Sequence, residues 1–158
     1  MTEVRVFADY SQIHVADEGA AENPGDLWGD HCVADGVSAV GSLLILRTAV
    51  PVEASVGFRY CSEEPEGGCE SFDHVVEASV NIPSGRLVIC GPTDGPAHSA
   101  KFSVPGGWLR VRASRGNLVS AISADIDADM SDATIEKILL EVWVAARSDP
   151  RVIKRFIS

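Results

Sequence analysis

The stretch that decides the fold is residues 101–113, which read KFSVPGGWLRVRA. Apolar and polar side chains alternate on both sides of the Pro-Gly-Gly turn. The second half places three apolar side chains on one face and two basic ones on the other: Leu109, Val111 and Ala113 against Arg110 and Arg112. A period of two with one apolar face is typical of a strand that covers a core. The stretch therefore predicts two β-strands, the second with its arginines in water.

The same period recurs along the chain, in runs that end at turn-forming residues. Further strand candidates are residues 3–8, 11–16, 42–48, 52–60, 75–82 and 85–91. Clusters of Pro, Gly, Asn and Asp separate them. About eight or nine short strands with this spacing predict an all-β fold, either an antiparallel β-sandwich or a flattened barrel. We expect residues 1–158 to form a single β-sandwich domain.

The stretch after Asn117 has features of both a helix and a strand. Ser131 is a good N-cap and acidic residues follow it. Residues 138–145 nevertheless alternate in the manner of a strand. We predict a short helical turn over residues 131–136 and then a closing strand, with a continuous helix from Ser131 to Arg147 as the alternative.

The composition describes an acidic globular domain. Of the 158 residues, 46% are hydrophobic, and 23 acidic residues against 13 basic ones give a formal charge of −10. This excess of acids argues against direct nucleic-acid binding, which needs clustered Lys and Arg. The apolar runs are too short for a membrane span, and no secretory leader is recognisable at the start. We therefore expect a cytoplasmic location.

No motif for catalysis or for a cofactor is present, so we expect a non-enzymatic protein without cofactors. The four cysteines, Cys32, Cys61, Cys69 and Cys90, are predicted to be free thiols, as is usual in a reducing compartment. A Cys61–Cys69 loop disulfide is one alternative. A metal site is the other, although the spacing of Cys61 and Cys69 is wider than usual for a zinc pair.

One acidic pattern resembles a calcium-binding loop. Asp125, Asp127, Asp129 and Glu136 occupy positions 1, 3, 5 and 12 of such a loop. Met130, however, stands at position 6, where the sharp turn requires glycine. We interpret the segment as a solvated acidic loop, with calcium binding as the alternative.

A second acidic cluster is the candidate interaction site. Four glutamates, Glu63, Glu64, Glu66 and Glu70, fall within eight residues that contain no base, and Pro65 and Gly67-Gly68 shape an exposed turn there. Charges at the rim of an interface speed association with a partner of opposite charge. The cluster therefore suggests a face for a basic protein partner, with a merely solvated loop as the alternative.

The order of features resembles the competence protein J family. The resemblance is carried by residues 10–15 (YSQIHV), Trp28, residues 33–38 (VADGVS), residues 84–89 (SGRLVI) and residues 100–111 (AKFSVPGGWLRV). It extends over roughly residues 10–145. A final apolar strand after an acidic connection completes it.

The resemblance implies a non-enzymatic intracellular protein that binds and restrains a nuclease. An acidic face suits that role, because a nuclease site for phosphates presents positive charge. Two other functions remain open on the residues alone. A closed barrel could carry a small ligand in its lumen, and the domain could be a structural subunit of a larger complex.

Overall fold

The computed structural model describes residues 1–95, 99–124 and 133–157. Within them the chain forms eleven strands and three short α-helices. In chain order these are β1 (Thr2–Phe7), β2 (Gln12–Asp17), α1 (Pro24–Leu27), α2 (Asp30–Asp35), β3 (Val37–Val40), β4 (Leu43–Arg47), β5 (Glu53–Tyr60), β6 (His74–Ile82), β7 (Arg86–Cys90), β8 (Ala100–Ser103), β9 (Gly107–Gly116), α3 (Leu118–Ser123), β10 (Lys137–Val144) and β11 (Arg151–Lys154). None of the helices in these residues is long and apolar enough to cross a membrane.

The strands form two sheets that pack face to face. Sheet A has the order β1-β5-β10-β9-β6-β11, and sheet B has the order β3-β4-β2-β7-β8. The predicted all-β sandwich is confirmed, whereas the two sheets do not close into a barrel. The strand count exceeds the predicted eight or nine. Strand β10 lies between β5 and β9. It pairs in parallel with β5 and antiparallel with β9.

The core lies between the two sheets and follows the period of two. Leu109, Val111 and Ala113 of β9 are buried in it, as their alternation predicts. Leu44 and Leu46 of β4 face them from sheet B. The opposite face of β4 carries Leu43 and Ile45, which pack against Leu27 of α1. Helix α1 therefore covers the outer face of sheet B at β4.

The region after Asn117 contains both a helix and a strand. Helix α3 comes first, and β10 then supplies Ile138, Leu140 and Val142 to the core. The continuous helix from Ser131 to Arg147 is therefore wrong, and the closing strand is right. Of the helical turn predicted over residues 131–136, residues 131 and 132 lie outside the described residues, and residues 133 and 134 form a turn.

The prediction that Arg110 and Arg112 both face water is wrong for Arg112. Both side chains point away from the core, as the register requires, but Arg112 is only 8% exposed. The reason is that the outer face of sheet A is itself covered near Arg112. Glu77 lies directly opposite on β6, and a loop passes over the guanidinium group.

Candidate interaction surface

A row of five alternating charges crosses the outer face of sheet A from one strand to the next. Each residue lies directly opposite its neighbour in the strand register. The row consists of Arg59 (β5), Glu141 (β10), Arg112 (β9), Glu77 (β6) and Arg151 (β11). Opposite charges in directly paired positions stabilise a sheet. We refer to these five residues as the charge row.

The centre of the charge row is buried and well paired. Arg112 Nε donates to Glu77 Oε2 at 2.8 Å, and Arg151 Nη2 lies 3.1 Å from Glu77 Oε1. Glu141 accepts a hydrogen bond from Arg59. The Arg112 guanidinium carbon also lies 5.5 Å from the centre of the Trp143 ring, a geometry that favours a cation–π contact. Removing Arg112 would leave the buried Glu77 with one cation fewer, which is destabilising.

The acidic loop, residues 61–73, passes over this row on its way from β5 to β6. Arg112 Nη1 donates to the Pro65 carbonyl at 2.9 Å, close to the middle of the loop. Lys154 Nζ of β11 donates to the Phe72 carbonyl at 2.6 Å, near the end of the loop. At the start, the Cys61 amide donates to the Val142 carbonyl at 2.7 Å. The loop backbone is therefore fixed to sheet A at three places.

The four predicted interface residues, Glu63, Glu64, Glu66 and Glu70, are all exposed on the acidic loop. None of them makes a hydrogen bond or an ion pair with any residue that the structure describes. The cations beneath the loop bind its backbone carbonyls and leave these carboxylates unneutralised. The loop thus presents four uncompensated negative charges on a fixed backbone. Binding of a partner to them stays a prediction.

The residues of the calcium-like pattern are only partly described. Asp125, Asp127 and Asp129 lie outside the described residues. Glu136 is buried and accepts from Arg115 Nε at 2.7 Å and from the Ala49 amide at 2.6 Å. Both carboxylate oxygens of Glu136 thus already have partners within the protein. Calcium binding stays a prediction, and calorimetric titration with Ca²⁺ tests it, because no heat at millimolar concentration would overturn it.

A second polar cluster lies at the end of the sandwich and centres on His74. Its Nδ1 accepts from the Phe156 amide at 3.0 Å, so Nε2 carries the proton and donates to the Asp35 carbonyl at 2.6 Å. Burial lowers the pKa of His74, with further lowering by Arg115 and Arg155. The imidazole is therefore held neutral, and it connects α2, β6 and the C-terminal segment.

All four cysteines are free thiols in the structure, as predicted. Cys61 and Cys69 lie half-buried on the acidic loop without a bridge between them. Cys32 is fully buried in α2, and burial raises its pKa to about 11. A thiol with so high a pKa is unreactive at neutral pH.

The sequence prediction missed the charge row, although a signal for it was present. Glu77 and Glu141 each interrupt an otherwise apolar strand. An acid in a strand that is buried on both faces needs a cationic partner. Arg112 is opposite both. The polar cluster around His74 carried no comparable signal, because its members come from separate strand ends.

Comparison with solved structures identifies two proteins of similar fold. No protein-family model matches the sequence, and a search of curated proteins finds no match. The crystal structure of ComJ from Bacillus subtilis, an inhibitor of the DNA-degrading activity of NucA, superposes with a TM-score of 0.69 at 16% identity, covering 92% of this chain and 96% of ComJ. The product of crocagin biosynthetic gene J gives 0.57 at 19% identity, covering 89% and 94%. The resemblance to competence protein J is therefore confirmed at the level of the fold, and the chain has a ComJ-like fold.

Proposed function

We propose that this protein is a non-enzymatic, cytoplasmic binding module that restrains a basic protein partner, a nuclease, through its acidic loop. The observation that carries the proposal is the set of four exposed glutamates on a backbone fixed by Arg112 and Lys154. The ComJ-like fold supports the same role, since ComJ inhibits a nuclease.

The physical argument rests on what a fixed acidic surface does in association. A nuclease that binds phosphates carries a positive site, and complementary charge raises its encounter rate with an acidic protein. A loop whose backbone is already anchored loses less conformational entropy on binding than a free loop. The charges and their anchoring therefore act together, the first on the association rate and the second on affinity.

The alternative of a ligand carrier loses its main support. That hypothesis required the lumen of a closed barrel, whereas the two sheets here form a sandwich whose facing sides are filled by the apolar core. The role of structural subunit makes no use of an exposed, unpaired acidic cluster. We therefore favour the inhibitor role.

Affinity capture from a host lysate, at low and at high salt, tests the proposal. We expect a captured protein that degrades DNA when eluted and that loses this activity when this protein is added back. Capture only at low salt supports electrostatic binding. Captured material without DNA-degrading activity, or activity that this protein leaves unchanged, would overturn the nuclease-inhibitor role.

A matched pair of variants then tests the acidic loop. Glu63→Lys/Glu66→Lys reverses two charges on the loop, and Asp26→Lys/Asp30→Lys reverses two exposed charges in α1 and α2, on the sheet B side. The loop variant should slow association with the captured partner about tenfold at low salt and flatten its salt dependence. The helix variant should change the rate much less. Equal effects of the two variants would show that only net charge matters.

A further inference from the structure

A pocket of about 220 Å³ opens at the end of the sandwich where β4 and β9 end and β6 begins. Both sheets, α2, α3 and the C-terminal segment contribute to its walls. It includes no residue of the charge row and none of the four loop glutamates. The proposed binding of a protein partner by the acidic loop therefore gives this pocket no role.

Two arginines, Arg47 and Arg115, line the pocket. The side chain of Arg115 is only 7% exposed. Its Nε and Nη2 bind Glu136, while Nη1 makes no hydrogen bond with any residue in the described ranges. Arg47 donates from Nη1 to the Val33 carbonyl at 2.9 Å and forms no ion pair with a described residue. A guanidinium N–H group without a protein acceptor at a pocket can donate a charge-assisted hydrogen bond to an anion there.

Several of the charged groups around the pocket are already paired. Glu136 is neutralised by Arg115, and Asp35 is paired with Arg155 at 2.9 Å. His74 is neutral, and both its ring nitrogens are already hydrogen-bonded. Arg47 forms no ion pair with a described residue, and neither does Asp73, which accepts from the Leu118 amide at 3.0 Å.

Part of the lining is apolar. It is formed by Leu118 and Ile122 of α3 and by Phe156 of the C-terminal segment. Ile122 is half exposed at the mouth, so an apolar group can enter there and cover it. The volume exceeds the roughly 150 Å³ cavity that is known to hold benzene.

We propose that this pocket binds a small organic acid. Its carboxylate lies against Arg47 and the Nη1 of Arg115, and an apolar group of about the size of a benzene ring packs on Leu118, Ile122 and Phe156. Two guanidinium groups are the side chains best suited to a carboxylate. The pairing of an apolar wall with a few polar groups that fix orientation is typical of small-molecule sites.

Titration of the isotope-labelled protein with sodium benzoate, followed by NMR, tests the proposal. We expect saturable shifts of the amides of Val33, Ala49 and Ile122, with a dissociation constant of about 1 mM or lower. Benzamide has the same ring without the charge, and it should bind at least about tenfold more weakly. Absence of saturable shifts at about 20 mM benzoate, or equal binding of benzamide, would overturn the proposal.

Variants of Arg47 locate the carboxylate. Arg47→Gln should weaken benzoate binding about tenfold or more, and Arg47→Lys, which keeps the charge, should restore most of it. Arg86→Gln is the matched control, because Arg86 pairs with Glu18 on sheet B outside the pocket. Benzoate binding that survives Arg47→Gln in the folded protein, or that is lost equally in Arg86→Gln, would refute the assignment.

Discussion

The charge row and the acidic loop lie one above the other, yet they use charge in opposite ways. In the row, Glu77 is 1% exposed and each acid has a cation directly opposite in the register. In the loop, four acids stand exposed and unpaired by any described residue. Arg112 belongs to both layers, since it pairs with Glu77 below and holds the Pro65 carbonyl above.

The difference shows that the pairing partner, and not the residue type, decides what a charge does in this molecule. A buried carboxylate with a fixed cation stabilises the sheet and is unavailable to another protein. An exposed carboxylate on a fixed backbone contributes little to stability and remains available. Mutations in the charge row should therefore lower the free energy of unfolding, whereas mutations in the acidic loop should slow association with the partner.

The largest effect is expected from Arg112→Ala. The change leaves Glu77 buried with one cation fewer and removes the contact with Trp143, so the free energy of unfolding should fall by about 3–5 kcal/mol.

Val111→Asp on the same strand should lower the free energy of unfolding by about 3 kcal/mol or more, because it buries an unpaired carboxylate in the core. Urea denaturation followed by tryptophan fluorescence measures both.

The double variant Arg112→Met/Glu77→Leu sharpens this test. Replacing a buried ion pair by apolar side chains of similar size is often neutral, so the double variant should be more stable than Arg112→Ala. If Arg112→Ala costs less than about 1 kcal/mol, as for a surface arginine, the distinction between row and loop fails.

An intermediate effect is expected from the protonation of His74. Burial lowers its pKa from the ordinary value of 6.5, so the unfolded chain binds this proton more readily than the folded protein. The contribution of His74 to the free energy of unfolding is therefore fully present above about pH 6.5 and is lost as the pH falls below that value. Denaturation curves between pH 8 and pH 5 should show this loss, and His74→Gln should reduce it.

Two other groups define the control for that experiment. Burial also lowers the pKa of His14, so His14→Gln should remove a separate share of the pH dependence. The amide of Ser42 lowers the pKa of Glu22 below its ordinary 4.5, and its contribution changes only at lower pH. An unchanged pH dependence in His74→Gln would mean that His74 is not the buried neutral group described here.

The smallest effect on stability is expected from the acidic loop. Glu63→Lys/Glu66→Lys should change the free energy of unfolding by less than about 0.5 kcal/mol, or raise it slightly, because the chain carries ten excess negative charges. The same urea titration measures this. A loss comparable to that of Arg112→Ala would place these glutamates among the structural charges.

The fold class, the register of β9 and the strand character of β10 could be predicted because each follows from a local period of two. The burial of Arg112 was missed, because Glu77 is 35 residues away and the covering loop is an irregular segment, although the acids in β6 and β10 signalled a need for cationic partners. The parallel pairing of β5 with β10 was inaccessible for the same reason. Of the site residues, the loop glutamates were visible as a contiguous run. Arg47, His74 and Arg115 were not, because only the packed sheets bring their strand ends together.

The strand order of sheet A has a consequence for the newly made chain. Its two central strands, β9 and β10, are among the last to be synthesised, while β5 and β6 are made well before them. At roughly 5–20 residues per second, about 4–17 s pass between the end of β5 and the end of β10. During that interval β5 can pair with β1 on one edge only, and both edges of β6 await strands made later; such open edges promote aggregation. The centre of sheet A therefore stays open until β9 and β10 emerge.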